Sequence, residues 1–190
     1  MTEFLNQYFL MTGAGWAVIG AMFAVMFGGI GSARGIRIAA AEAAGAVSEK
    51  PELFGKSLIL AALPGTQGFY GFVIAFIIAS AANLTNTGAE EAADAVVKVS
   101  PLVGMAMMFV GLFAGIVQWK SAVAQGEVSA ASINLVSKRP EEGGRAILFP
   151  VLVETYAVVA LLAAILIVGW LTPERGLLVS PVQDILKATK

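Results

Sequence analysis

The 190-residue chain is 58% hydrophobic and 13% charged, with a net charge of −1, no Cys and no His. An ordinary soluble domain is about 25% charged, so this is the composition of a membrane protein. Thiolate and imidazole metal sites, Cys nucleophiles and Ser–His triads are excluded from the chain. The scattered basic residues make no continuous field for nucleic acid. A hard ion held by oxygen atoms is the metal chemistry left open.

Residues 4–33, 57–89, 99–119 and 155–173 contain no Asp, Glu, Lys or Arg. Each is about as long as the ~20 residues a helix needs to cross ~30 Å of hydrocarbon. The runs are continuous and rich in Ala, Gly, Leu and Ile rather than alternating, which predicts helices and not a barrel. The opening MTEF places an acid where a secretory leader carries a positive charge, so the first run reads as a retained helix. The predicted helices are 9–46, 53–82, 98–136 and 144–171, the first and third long enough to protrude or tilt. Helix one carries Gly13, Gly15, Gly20, Gly28, Gly29, Gly31 and Gly35, and small residues let backbones approach closely in lipid. Gly29-Ile30-Gly31 is no nucleotide loop, since no strand precedes it and no Walker spacing follows. No nucleotide is expected on this chain.

The turn after the first helix, Ser48-Glu49-Lys50-Pro51-Glu52, resembles the turn after the third, Ser137-Lys138-Arg139-Pro140-Glu141. Sliding the chain by 89 residues aligns Lys50 with Arg139, Pro51 with Pro140, Gly55 with Gly144, Lys56 with Arg145 and Thr66 with Thr155. The expected architecture is all-α, with four transmembrane helices in two tandem hairpins, 1–89 and 90–172, followed by an extension at 173–190. The basic turns, set against Glu90, Glu91 and Asp94 in the loop between hairpins, put both turns in the cytoplasm and both termini outside.

Glu154 stands inside ILFPVLVETYAVVALLAAILIVGW, opposite Gly65 under the same offset. An ionised group at the bilayer centre costs at least ~2.5–3.5 kcal/mol, so an intramembrane acid marks a functional site. Counting 1.5 Å per residue from the turns puts Glu154 and Gln125 about 15–17 Å deep and Thr66 and Gln67 about 20 Å deep. These residues could together offer four oxygens to one ion. Pro64 removes an amide hydrogen, and irregular backbone within a membrane is tolerated only where protein or a polar cavity satisfies it. The LPGTQG segment therefore also reads as a source of main-chain oxygen, although a plain proline kink would leave the same trace.

Leu63-Pro64-Gly65-Thr66-Gln67-Gly68-Phe69-Tyr70, Gln125-Gly126, Val153-Glu154-Thr155-Tyr156-Ala157 and the GSARG of residues 31–35 resemble motifs of the K-subunit proteolipids of bacterial sodium-pumping V-type ATPases. The resemblance covers nearly all of the four-helix region. It implies Na⁺ ligands at Leu63 (main-chain carbonyl), Thr66, Gln67, Gln125 and Glu154, with Tyr70 holding the glutamate. It also implies a ring of identical copies in the plasma membrane, a stator subunit bearing an arginine, a central-stalk subunit at the cytoplasmic turns, and contact with lipids. Several oxygens around one acid suit a hard cation, whereas a proton carrier needs a carboxyl and little else. An H⁺-carrying rotor is the alternative, and a small secondary transporter or channel a more distant one.

Two residues strain the pattern. Gln118 follows GLFAGIV and shares a helix face with Gln125, seven residues on, which makes it a rival ligand about 10 Å deeper. Lys120 lies far from any turn. It reads as facing a ring lumen together with Arg34, pairing with Glu127, or snorkelling along its helix.

Overall fold

The computed structural model describes residues 12–84 and 99–172. The predicted helix start at residue 9, the acidic inter-hairpin loop and the C-terminal extension lie outside these residues. Every regular element among the described residues is helical: α1 (Gly13–Glu49), α2 (Phe54–Ala62), α3 (Thr66–Ala81), α4 (Pro101–Lys138), α5 (Gly143–Ala146) and α6 (Leu148–Leu171), with 3₁₀ turns at Pro51–Leu53, Leu63–Gly65 and Pro140–Glu142. They make four spans long and apolar enough to cross a membrane: Gly13–Glu49, Pro51–Ala81, Pro101–Lys138 and Pro140–Leu171. At 37 and 38 residues, the first and third extend about 55 Å, well beyond the hydrocarbon thickness.

The span ends differ from the hydropathy reading for local reasons. The third begins at Pro101 rather than 98. The Ser100 hydroxyl accepts the Val103 amide at 3.3 Å, and proline is pre-organised for the first helical position. The fourth begins four residues earlier than predicted, as the 3₁₀ turn at Pro140. The second closes on Asn83, whose φ is +58°, with the Leu84 amide reaching back to the Ala79 carbonyl at 2.9 Å. Asn is one of the few side chains that adopts this left-handed cap readily.

The chain divides into two compact units. In the first, which among the described residues comprises 12–24, 73–84, 99–114 and 162–172, α1 and α4 touch through glycine. A Cβ on Gly20 would strike the Met107 and Met108 backbone, and one on Gly104 or Gly111 the backbone of Gly13 or Gly20. Backbones this close are what small residues provide where lipid is as apolar as leucine and packing must supply the attraction.

The second unit (residues 25–72 and 115–161) contains both short turns and every predicted ion ligand. Its apolar cluster of Ala39, Leu53, Leu60, Ala61, Ile133, Val136 and Ala146 lies among the turns. Within this unit Gly28 lies against the Gln67 and Gly71 backbone, Gly31 against Trp119, and Gly35 against Ala122 and Pro64. Gly28 and the GSARG segment thus let α3 and α4 both approach α1 closely, which brings the two glutamine-bearing helices together.

Candidate functional site

Proline at position 64 interrupts the second span with a 3₁₀ turn over Leu63–Gly65. The Leu63 carbonyl receives both the amide of Thr66 and its hydroxyl, at 3.0 Å. The turn is tied to α1 by the Gly68 amide, which donates to the Ser32 hydroxyl at 2.7 Å. Gly65 and Gly68 keep this wall thin: a Cβ would meet Ile36 at 3.4 Å and Ser32 at 3.2 Å respectively.

Gln67 and Gln125 are fully buried and face each other across α3 and α4. Gln67 Nε2 donates to Gln125 Oε1 at 2.6 Å and to the Ser121 hydroxyl at 3.4 Å, while Gln67 Oε1 lies 3.3 Å from Thr66 Oγ1, whose one hydrogen it shares with the nearer Leu63 carbonyl. Glu154 completes the group from α6. Tyr70 OH donates to its Oε1 at 2.6 Å, and Gln125 Nε2 to its Oε2 at 3.4 Å. The structure therefore gathers Leu63, Thr66, Gln67, Tyr70, Gln125 and Glu154 into one hydrogen-bonded cluster.

The electrostatics of this cluster are lopsided. Glu154 is half-buried in an apolar span, and the groups that donate to it are a phenol and an amide, neither charged. Among the described residues the one ion pair is Arg145 with Glu142, at 3.2 Å on an exposed surface. Four uncharged oxygens, on Leu63, Thr66, Gln67 and Gln125, stand in the same cluster as the carboxylate. Such a set suits a hard monovalent cation in both charge and ligand type.

A second device is only half visible in the sequence. Three side chains on one face of α4 donate to main-chain carbonyls of α6: Gln125 to Pro150 at 3.1 Å, Ser121 to Val153 at 3.3 Å and Gln118 to Ala157 at 2.9 Å. The rungs straddle Glu154 and fix the depth and rotation of its helix. Gln118 thus belongs to the scaffold beside the acid; its Oε1 is buried without a hydrogen-bond partner. Spacing of three to four residues between 118, 121 and 125 is visible as one helix face, but the acceptors are backbone atoms that leave no trace in composition. Lys120 and Arg34 both lie over the Trp119 ring, at 5.4 Å and 5.9 Å, while Phe27 stacks on it at 5.8 Å.

Comparison with known proteins adds an independent line. The family profile for the C subunit of ATP synthase matches residues 19–78 and again residues 102–167. The V-type sodium ATPase subunit K of Enterococcus hirae is 41% identical over 155 residues, covering 80% of this chain and 90% of that protein. The A-type ATP synthase subunit K of Methanocaldococcus jannaschii is 38% identical over 149 residues, covering 78% of this chain and 60% of that protein. Two family matches in tandem, a relative aligned over nine-tenths of its length, and helices able to span a membrane agree: the chain belongs to the family of ATP synthase C subunits.

Proposed function

We propose that the chain is the ion-carrying rotor subunit of a V-type ATPase, moving Na⁺ across the membrane on Glu154 as a ring of copies turns. The observation that carries this reading is a half-buried carboxylate that, among the described residues, has no cationic side chain beside it and stands instead in a cluster with four uncharged oxygens. The match to a sodium ATPase subunit over most of both chains supports the choice of ion. Leu63, Thr66, Gln67, Gln125 and Glu154 are the proposed ligands, and Tyr70 holds the carboxylate still.

Each residue has a distinct task. Binding a cation neutralises Glu154, and the loaded site then travels past lipid without the cost of a bare charge. Tyr70 and Gln125 hold the two carboxylate oxygens by donation, so the acid need not reorganise when the ion arrives. The Gln67–Gln125 hydrogen bond keeps the amide oxygens of two helices within one cluster. A fixed arginine on the stator subunit would favour the empty carboxylate by charge pairing, releasing the ion on the other side. ATP chemistry takes place on other subunits, and the central stalk docks at the cytoplasmic turns. We place the two hairpins as tandem copies in the same orientation, with both turns cytoplasmic and both termini outside.

The H⁺ alternative meets a specific difficulty. A protonated carboxyl needs no more than a hydrogen-bond partner such as Tyr70 or Gln125, which leaves the oxygens of Leu63, Thr66 and Gln67 in the cluster with no part to play. Carbodiimide labelling of Glu154 in the intact complex at fixed pH separates the two ions. Na⁺ should suppress labelling in a saturable way, and labelling indifferent to Na⁺ would establish the proton reading instead.

A further inference from the structure

The first turn is bonded to the second by two lysines. Lys50 Nζ donates to the Ser137 carbonyl at 2.6 Å, and Lys56 Nζ to the Pro140 carbonyl at 2.8 Å. The first of these acceptors is a last-turn carbonyl of α4, where helix geometry leaves oxygens unpaired and negative. The Lys56 stem also packs on Gly143, where an added Cβ would lie 3.0 Å from Lys56 Cδ.

The 89-residue offset makes each participant half of a pair. Lys50 corresponds to Arg139, Lys56 to Arg145, Ser137 to Ser48 and Pro140 to Pro51. The backbone agrees: Lys50 has φ −136° and ψ 85°, Arg139 φ −136° and ψ 82°, and each opens a 3₁₀ turn beginning with proline. Within one chain the used members Lys50, Ser137 and Pro140 are partly covered and Lys56 is exposed, whereas their counterparts Arg139, Ser48, Pro51 and Arg145 are all exposed. Arg145 is 81% exposed and held only by Glu142, one turn away.

We propose that Arg139 and Arg145 bind a second copy of this chain, donating to its Ser48 and Pro51 carbonyls and so repeating between copies the contact that Lys50 and Lys56 make within one. The proposal rests on the ring reading, in which the second hairpin of one copy faces the first hairpin of the next. A row of cations then meets a row of carbonyls at every hairpin junction. One position departs from the repeat in an informative way. Where Lys56 crosses Gly143, the next copy presents the counterpart Phe54, whose side chain is 59% exposed. A guanidinium can lie on an aromatic face, which an ammonium on a flexible stem does less well. The arginines therefore stand where the junction has a ring, and the lysines where it has a glycine.

The chain has no cysteine, so paired substitutions report cleanly. In detergent-solubilised assemblies of the full chain, Ser48→Cys with Arg139→Cys should join through a short bis-maleimide into a ladder of dimers and larger species on a denaturing gel. The intrachain pair Lys50→Cys with Ser137→Cys should consume its thiols at monomer mass. Because a cysteine at 139 removes the donor, a second arm uses Arg139→Gln with Arg145→Gln and follows the temperature at which assemblies dissociate. That temperature should fall, and fall further than for Lys50→Gln with Lys56→Gln. Monomer-only cross-linking in assemblies that stay intact on a native gel would overturn the contact, as would an unshifted dissociation temperature. An unsubstituted chain running as a single copy would overturn the ring reading itself, and the contact with it.

Discussion

Replacing Tyr70 by Phe deletes one atom from the cluster and keeps the ring volume. The bond lost is the 2.6 Å donation to Glu154 Oε1. Hydrogen bonds to charged groups contribute about 1.5–3 kcal/mol, but interhelical hydrogen bonds measured within membranes average about 0.6 and reach about 1.7 kcal/mol. The carboxylate is half-buried, so the lower scale governs and about 1–1.5 kcal/mol is expected. At 1.4 kcal/mol per tenfold, the Na⁺ concentration that half-protects Glu154 from carbodiimide should rise about 5–10-fold. Maximal labelling without Na⁺ should stay the same, because the acid itself is intact. The assay is labelling of the assembled complex across a Na⁺ series at one pH. A half-protecting concentration moved by less than about twofold, which is under ~0.5 kcal/mol, would refute the idea that Tyr70 holds the acid in its ion-binding position.

Further substitutions probe the rest of the cluster and its scaffold. Glu154→Gln should abolish both labelling and Na⁺ transport while assembly persists; retained transport would remove the acid from the mechanism. Gln118→Met keeps the length and apolar bulk but deletes the donor to Ala157. By loosening the helix that carries Glu154 it should raise half-protecting Na⁺ about threefold, in line with an average intramembrane hydrogen bond. Ser129→Ala, at a buried hydroxyl on the same helix without a hydrogen-bond partner, should leave that value unchanged and serves as the control. Gly35→Val places a Cβ against the Ala122 carbonyl and Pro64; the assembled form should lose thermal stability by more than a surface substitution does, as read by its dissociation temperature.

Much of this protein was legible because lipid is an unforgiving solvent. A charge-free run long enough to span hydrocarbon must be a helix or part of a closed barrel, so the four spans followed from where Asp, Glu, Lys and Arg are absent. Glu154 stood out because the same solvent penalises it. Its depth match with Gln67, Gln125 and Thr66 needed only the rise per residue, and the structure places all four in one cluster. Side-chain-to-backbone bonds were not legible: Gln118, Ser121 and Ser32 pair with a carbonyl or an amide of another span, and such partners depend on helix rotation, which depth alone does not fix. Lys120 shows the same limit. Its distance from the turns was plain, but its position over Trp119 was not, nor that Arg34 lies over the same ring.

The 89-residue repeat also bears on why the proposed ion site would occur once per chain. The oxygens of Leu63, Thr66 and Gln67 and the phenol of Tyr70 come from the first half, while Gln125 and Glu154 come from the second. Their repeat counterparts are Leu152, Thr155, Tyr156 and Val159, together with Ile36 and Gly65. The counterpart set keeps a threonine and a leucine carbonyl but has no acid, no amide and no phenol at the position of Tyr70. If copies alternate their hairpins around a ring, every second junction would therefore bring together an apolar surface rather than a cation site. A bare carboxylate there would need its own ligands to offset the cost of burial, and none of the substituted residues supplies them. Loss of the acid and loss of its ligands are thus one coupled change, and carbodiimide should label a single carboxylate per chain within the spans.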